Sequence, residues 1–311
     1  MGQMEMKRFI GVDIGGTKCA VTVGDENCRV IEKVKFLTDG SALDRIITEA
    51  KKFTEKYDIS SVGISCGGPL DSSRGVICSP PNLLGWNEIP ITLLLSEATG
   101  VPAKLCNDAD ACALAEWRFG AGKGTKNMVF LTFGTGMGAG LILDGHLYTG
   151  ACNMAGEVGH IRLSGIGPVG YGKAGSFEGF CSGGGIKRLA QAVIAEKISR
   201  GEDVPYSMDD ISLIDAKFIA EKAEEGDPTA REIFRISGEK LGEALAVIID
   251  ILNPEMIVIG SIFQRSGGLL REAMEEALRR EAIDVSRRAC RIVPAALGDD
   301  IGDIAALAVA Q

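Results

Sequence analysis

The sequence predicts an α/β protein built as two related halves about a central cleft, and three observations predict it. Two stretches of one design, an apolar run, a glycine turn and a second apolar run, stand at 9–23 and 129–143. Short apolar runs alternate with segments of helical spacing through both halves, the pattern of α/β proteins. The chain has 311 residues, a length that favours two domains. Two like hairpins, one per half, suggest an internal duplication with a nucleotide clamped between the halves.

The first hairpin reads Phe9-Ile-Gly-Val-Asp-Ile-Gly-Gly-Thr-Lys-Cys-Ala-Val-Thr-Val23. Gly15 and Gly16 permit backbone angles closed to other residues and, without Cβ atoms, let the main chain approach a ligand. Their amides could cradle phosphate. Asp13 ends the first strand beside the turn, where it would repel phosphate unless a divalent cation such as Mg²⁺ lay between. Thr17 and Lys18 add a hydroxyl and a positive charge. Alone, this stretch reads more simply as a plain hairpin with a polar rim. The second copy, Val129-Phe-Leu-Thr-Phe-Gly-Thr-Gly-Met-Gly-Ala-Gly-Leu-Ile-Leu143, places Gly134, Thr135, Gly136 and Gly138 at the bend. Neither is a Walker loop, since the order before Lys18 is wrong and a strand follows where a helix is required. Nor does Gly134 to Gly140 fit the dinucleotide fingerprint, whose turn opens a helix.

Leu43 to Tyr57 carries Ile46, Ile47, Ala50 and Phe53 at helical spacing, so a helix is expected there. Ser61 to Ser65 reads as a strand running into the irregular Cys66-Gly-Gly-Pro69, and Val76 to Cys78 as another, opening into the proline-stiffened loop Ser79-Pro-Pro-Asn-Leu-Leu-Gly-Trp86. That loop either exposes Asn82 for binding or is a surface loop pinned by Trp86. A strand from Val101 ends in Asn107-Asp108, before the helix Ala109 to Phe119. The two polar residues are either helix caps or, for Asp108, a carboxylate pointing into a cleft. Gly156-Glu-Val-Gly-His160 sets an acid and one of two histidines between glycines, and Glu178 lies in a Gly-rich segment, 165–185, expected to be irregular and functional. Asp215 opens a helix to about Glu225, and Asp227-Pro228 starts a long helix ending before Pro254, in which Gly238 and Gly242 suggest close packing. Met256 to Ile259 is a buried strand ending at Gly260-Ser261, and Gly298-Asp-Asp-Ile-Gly302 leads to an alanine-rich terminal helix.

The composition, 46% hydrophobic and 24% charged, is that of a soluble globular protein. A net charge of −9 argues against nucleic acid, which needs a basic surplus. Asp13 interrupts the first apolar run and no small-residue cleavage site follows, so no signal peptide is expected. No apolar run is long enough for a membrane span. Nine scattered cysteines without a CxxC pair read as small core residues of a reducing cytoplasm.

Taken in order, Asp13-Ile-Gly-Gly-Thr-Lys18, Pro81-Asn-Leu-Leu-Gly-Trp86, Asn107-Asp108 before a helix, Gly134-Thr-Gly-Met-Gly138, Gly156-Glu-Val-Gly-His160 and Ile257-Val-Ile-Gly260 resemble the ROK family of sugar kinases and related repressors. The resemblance covers essentially the whole chain. It implies the two-domain actin-like ATPase fold, a duplicated ribonuclease H-like architecture, with an N-terminal α/β domain at 1–115, a C-terminal α/β domain at 116–297, and the terminal helix 298–311 packed back on the first. It implies an ATP-dependent kinase acting on a hexose, glucose foremost, with N-acetylmannosamine, N-acetylglucosamine, fructose or allose as alternatives. A sugar-binding regulator without turnover is the rival from another class.

By family match Asp108 is the base, and Gly68, Asn82, Asn107, Asp108, Glu157, His160 and Glu178 contact sugar. Asp13, Gly15, Gly16, Thr17, Lys18, Gly134, Thr135, Gly136, Gly138 and Gly260 serve the nucleotide, Asp13 through Mg²⁺ and water. Where the family has a CxCGxxGCxE zinc motif, this chain reads Val169-Gly-Tyr-Gly-Lys-Ala-Gly-Ser-Phe-Glu178. Val169, Tyr171 and Ser176 stand in the cysteine places, so no structural zinc is expected, and Tyr171 and Phe177 must order the loop by packing unless it is mobile. The first strand begins near residue 8, where repressors carry a DNA-binding module, so DNA binding is not expected. The family implies a dimer or tetramer.

Overall fold

The computed structural model describes residues 7–207 and 210–311. The chain forms two compact units, one of Met1–Lys126, Gly140–Ala155 and Ala296–Gln311, the other of Asn127–Ala139 and Gly156–Ala295.

In the first unit, β1 (Arg8–Ile14), β2 (Lys18–Asp25) and β3 (Val30–Leu37) are antiparallel neighbours. Helix α1 (Ala42–Lys56) buries Ala42, Ile46, Ala50 and Phe53, a single stripe at fourfold spacing. Then come β4 (Ile59–Cys66), the two-residue strands β5 (Leu70–Asp71) and β6 (Val76–Ile77), α2 (Ile91–Thr99), β7 (Ala103–Asn107) and α3 (Asp108–Phe119). The sheet order is β3-β2-β1-β4-β7, with β1, β4 and β7 parallel. Strands β1 and β4 are central and covered on both faces, which is why they read as continuous apolar runs. The edge strand β3 alternates and carries Lys33 and Lys35.

The second sheet repeats the order. Its strands are β8 (Met128–Phe133), β9 (Met137–Leu143), β10 (His146–Tyr148), β13 (Met256–Ile259) and β14 (Arg291–Pro294), arranged β10-β9-β8-β13-β14. Between β10 and β13 lie a small hairpin, β11 (Val169–Gly170) with β12 (Lys173–Ala174), and helices α4 (Phe177–Phe180), α5 (Gly183–Ser199), α6 (Ala216–Glu225) and α7 (Pro228–Leu252). Helices α8 (Ile262–Glu281), α9 (Asp284–Ala289) and α10 (Ile301–Ala310) complete the chain. Asp227 caps α7 by accepting from the Thr229 and Ala230 N–H groups at 2.7 and 2.9 Å, with Pro228 at the first helical position. Gly238 and Gly242 explain themselves against α8: a Cβ on either would lie 2.5 Å from Leu270 O or 2.3 Å from Met274 O. The same device seats α10 on the first sheet, where a Cβ on Gly63 would stand 2.1 Å from Ala306 O. Among the described residues no helix is long and apolar enough to cross a membrane.

Candidate active site

In the first unit the β1–β2 turn is a tight loop, closed by Gly15 N–H to Lys18 O at 3.1 Å and clamped by Thr38, whose hydroxyl donates to Gly15 O at 2.6 Å. Neither Gly15 nor Gly16 has a positive φ, so the expected backbone licence is not why glycine stands there. Space is the reason. A Cβ on Gly15 would lie 2.9 Å from Lys18 O, and one on Gly16 2.7 Å from Asn82 Cβ. The turn thus brings Asn82, from the proline-stiffened loop, against the first glycine hairpin, while Trp86 is buried in the core beneath. Thr17 and Lys18 are exposed at the rim.

At the β7–α3 junction the cap reading holds for Asn107. Asn107 is the cap: its Oδ1 accepts from Ala109 N–H at 3.0 Å. Its Nδ2 would be 3.6 Å from a Cβ on Gly68, and Asp108 Oδ2 3.8 Å from one on Gly67. Gly67-Gly68, which a cis peptide joins to Pro69, therefore runs directly beside both polar side chains. Asp108 is open to solvent on one side, yet protein crowds its carboxylate closely. Lost hydration pushes its pKa above the ordinary value, against backbone hydrogen bonds that lower it. The result is an accessible carboxylate with raised proton affinity.

Asp13 is half-buried. Burial first, then repulsion from Asp303 and Asp108, pushes its pKa up to about 6, against the attraction of Lys33 and Lys35. Asp303, buried at the start of α10, accepts from the Thr22 hydroxyl at 3.2 Å and pairs with Lys33. A cavity of about 170 Å³ lies among Asp13, Lys18, Lys33, Lys35 and Asp303. Among the described residues no cluster of three or more His, Cys, Asp or Glu is arranged to hold a metal. A single underhydrated carboxylate with like charges near it fits Mg²⁺, which keeps most of its waters and takes one or two protein carboxylates beside substrate phosphates.

The second unit gathers its own set. Gly134 N–H donates to Gly136 O at 3.2 Å across the β8–β9 turn, and Gly134 O accepts from Gly183 N–H at 2.7 Å at the head of α5. Gly138 N–H donates to the Thr132 hydroxyl at 2.9 Å. Glu178 Oε2 accepts from Met137 N–H at 3.1 Å and would lie 3.0 Å from a Cβ on Gly136. Gly159, in the turn between Glu157 and His160, approaches the Glu178 side chain to 3.3 Å by the same measure. Glu157 and His160 are exposed. Two acids and an imidazole around one turn offer the acceptors and donors that a polyhydroxy ligand needs.

Beside that turn opens a cavity of about 810 Å³, reached by Gly134, Thr135, Gly183, Asp215, Ser261 and Arg265. Gly260 stands next to it, its N–H donating to Leu131 O at 3.0 Å. The size suits a nucleoside, and the helix N-terminus and glycine amides at one end suit its phosphates. Sequence reasoning missed Gly183, Asp215 and Arg265 as lining residues. The Ser182-Gly-Gly-Gly185 run was the available signal: Ser182 Oγ caps α5 by accepting from Gly185 N–H at 2.9 Å.

The segment where the zinc motif would stand is ordered rather than irregular. The β11–β12 hairpin, an Arg162–Ser176 bridge and the Ser176 cap of α4 hold it. Phe177 is fully buried and does pack, whereas Tyr171 is exposed at the hairpin tip.

The profile of the ROK family matches residues 9–311. The chain belongs to the ROK family. It is 30% identical to a glucokinase of Halalkalibacterium halodurans, over 97% of this chain and 94% of that protein. It is 30% identical to an N-acetylmannosamine kinase of Salmonella arizonae over 85% of this chain and 86% of the other. The crystal structure of a ROK family glucokinase from Streptomyces griseus in complex with glucose and AMPPNP superposes with a TM-score of 0.76 at 32% identity, over 97% of this chain and 99% of that one. The fold is the duplicated actin-like ATPase fold that the resemblance implied.

Proposed function

We propose that this protein transfers the γ-phosphoryl group of ATP to the 6-hydroxyl of a hexose, with glucose the leading substrate. The protein is a sugar kinase by class. The observation that carries the reading is Asp108, an accessible carboxylate of raised proton affinity beside Asn107 and the Gly67-Gly68 backbone.

In this reading, following the family match, Asn82, Asn107, Gly68, Glu157, His160 and Glu178 bind sugar hydroxyls. Asp108 orients the attacking hydroxyl and accepts its proton as that oxygen bonds to the γ-phosphorus and the bond to the β–γ bridging oxygen breaks, releasing ADP. Phosphoryl transfer proceeds through a loose transition state, so positioning and charge neutralisation do most of the work. The Gly15–Lys18 turn and the Gly134–Gly138 turn present amides and hydroxyls to phosphate oxygens, and the 810 Å³ cavity takes the nucleoside. Asp13 is the residue that would hold Mg²⁺, which would supply further neutralisation of the phosphates. The N-acetylmannosamine kinase relative keeps N-acetylhexosamines in contention.

ADP release from Mg²⁺-ATP across hexoses, N-acetylhexosamines and ketoses tests this directly. Turnover with one sugar, abolished in Asp108→Asn while calorimetric sugar binding persists, is expected. Sugar binding without turnover in the unaltered protein would replace the enzyme with a sugar-binding regulator.

A further inference from the structure

The β11–β12 hairpin turns through Tyr171 and Gly172, whose φ angles are +44° and +74°. Two successive left-handed residues make the type I′ turn of a two-residue hairpin, which selects Asn, Asp or Gly. Gly172 suits the geometry; Tyr171 does not. A bulky aromatic residue at positive φ is a genuine outlier, and it persists only where something offsets the strain. Burial does not offset it, because Tyr171 is 78% exposed.

What the ring touches is His160. The two ring centroids are 6.2 Å apart with the planes at 74°, an edge-to-face arrangement. Side-chain-to-backbone hydrogen bonds tie the hairpin to the same segment as well: Lys173 Nζ donates to His160 O at 2.7 Å and Arg162 Nη1 to Ala174 O at 2.7 Å. Just beyond it, Phe177 N–H donates to Ile161 O at 2.8 Å. His160 itself is exposed, and an exposed imidazole without support samples several rotamers.

We propose that Tyr171 is a positioning residue of the sugar site, whose ring holds the His160 imidazole in its sugar-binding orientation at the expense of a strained turn. This rests on the reading of His160 as a sugar ligand in a kinase.

The test uses Tyr171→Asn and Tyr171→Phe in the full chain, with thermal unfolding, steady-state kinetics in sugar and in ATP, and calorimetric sugar binding. Asparagine is favoured in the turn, so Tyr171→Asn is expected to melt at the same or a higher temperature than the unaltered protein. Its sugar KM and Kd should rise about five- to tenfold, the worth of one edge-to-face pair, with kcat and the ATP KM unchanged. Tyr171→Phe should behave as the unaltered protein. An asparagine variant with unchanged sugar KM, or one that loses stability, would overturn the proposal. So would a phenylalanine variant as impaired as the asparagine one, which would assign the effect to the hydroxyl. An unaltered protein that neither binds nor phosphorylates any sugar would instead bring down the kinase reading, and this proposal with it.

Discussion

At the β1–β2 turn a neighbouring loop presses Asn82 against Gly16, and charges gather alongside: Asp13, Lys18, Lys33 and Asp303. At the β8–β9 turn the surroundings differ. Gly134 meets the head of α5, Gly136 faces the Glu178 carboxylate, and a roomy cavity opens beside them. The sheets carrying the two turns have the same strand order. A duplicated backbone device thus acquires its chemistry from what packs against it, charge in one unit and space in the other.

The largest expected effect tests whether the first unit alone carries the acid–base chemistry. Asp108→Asn should lower kcat by a factor of about 10²–10⁴ and leave the sugar KM nearly unchanged, read from steady-state kinetics with the best sugar. A loss under about tenfold would show that no base acts from the first unit.

Next is the charge at the first turn, examined by Asp13→Asn in metal-free protein. An aspartate in the unfolded chain ionises near its ordinary value of about 4, the folded Asp13 near about 6. The folded state holds the proton more tightly, so stability declines as pH rises through this window, and above it the buried charge is a standing penalty of about 3 kcal/mol. The asparagine variant should therefore be more stable by about that amount at pH about 8 and equal at pH about 4, measured by urea unfolding. Equal stability at both values would mean that the first turn does not concentrate uncompensated negative charge.

The smallest effect compares the turns themselves. Gly16→Ala drives a Cβ into Asn82 Cβ at 2.7 Å, whereas Gly136→Ala meets only the flexible end of Glu178 at 3.0 Å. The first should cost about 1–3 kcal/mol; the second should cost less than about 1 kcal/mol and instead raise the sugar KM by displacing Glu178. Equal stability losses would erase the distinction between the two environments.

Much of this was legible in the residues. The glycine hairpins, the stripe of α1, the Asp227-Pro228 start of α7 and the Asn107-Asp108 junction each rest on local rules, spacing and capping, which act within a few residues. The 165–185 segment was less legible: its glycines suggested irregularity, whereas pairing of β11 with β12 and burial of Phe177 order it. That order depends on partners such as Ile161 and Arg162, which no local pattern announces.

The two-fold α/β plan, the glycine turns and the residues that resemble a sugar-kinase site can be read from the chain alone, because periodicity and turn chemistry are local. Only the tertiary structure decided why Gly15 and Gly16 are glycines, that Asp13 shares its surroundings with Lys33 and Asp303, that Asp215 and Arg265 line a cavity, and that Tyr171 stands against His160. These depend on atoms distant in the chain meeting within a few ångströms, and burial, pKa and strain are properties of such meetings rather than of any residue alone.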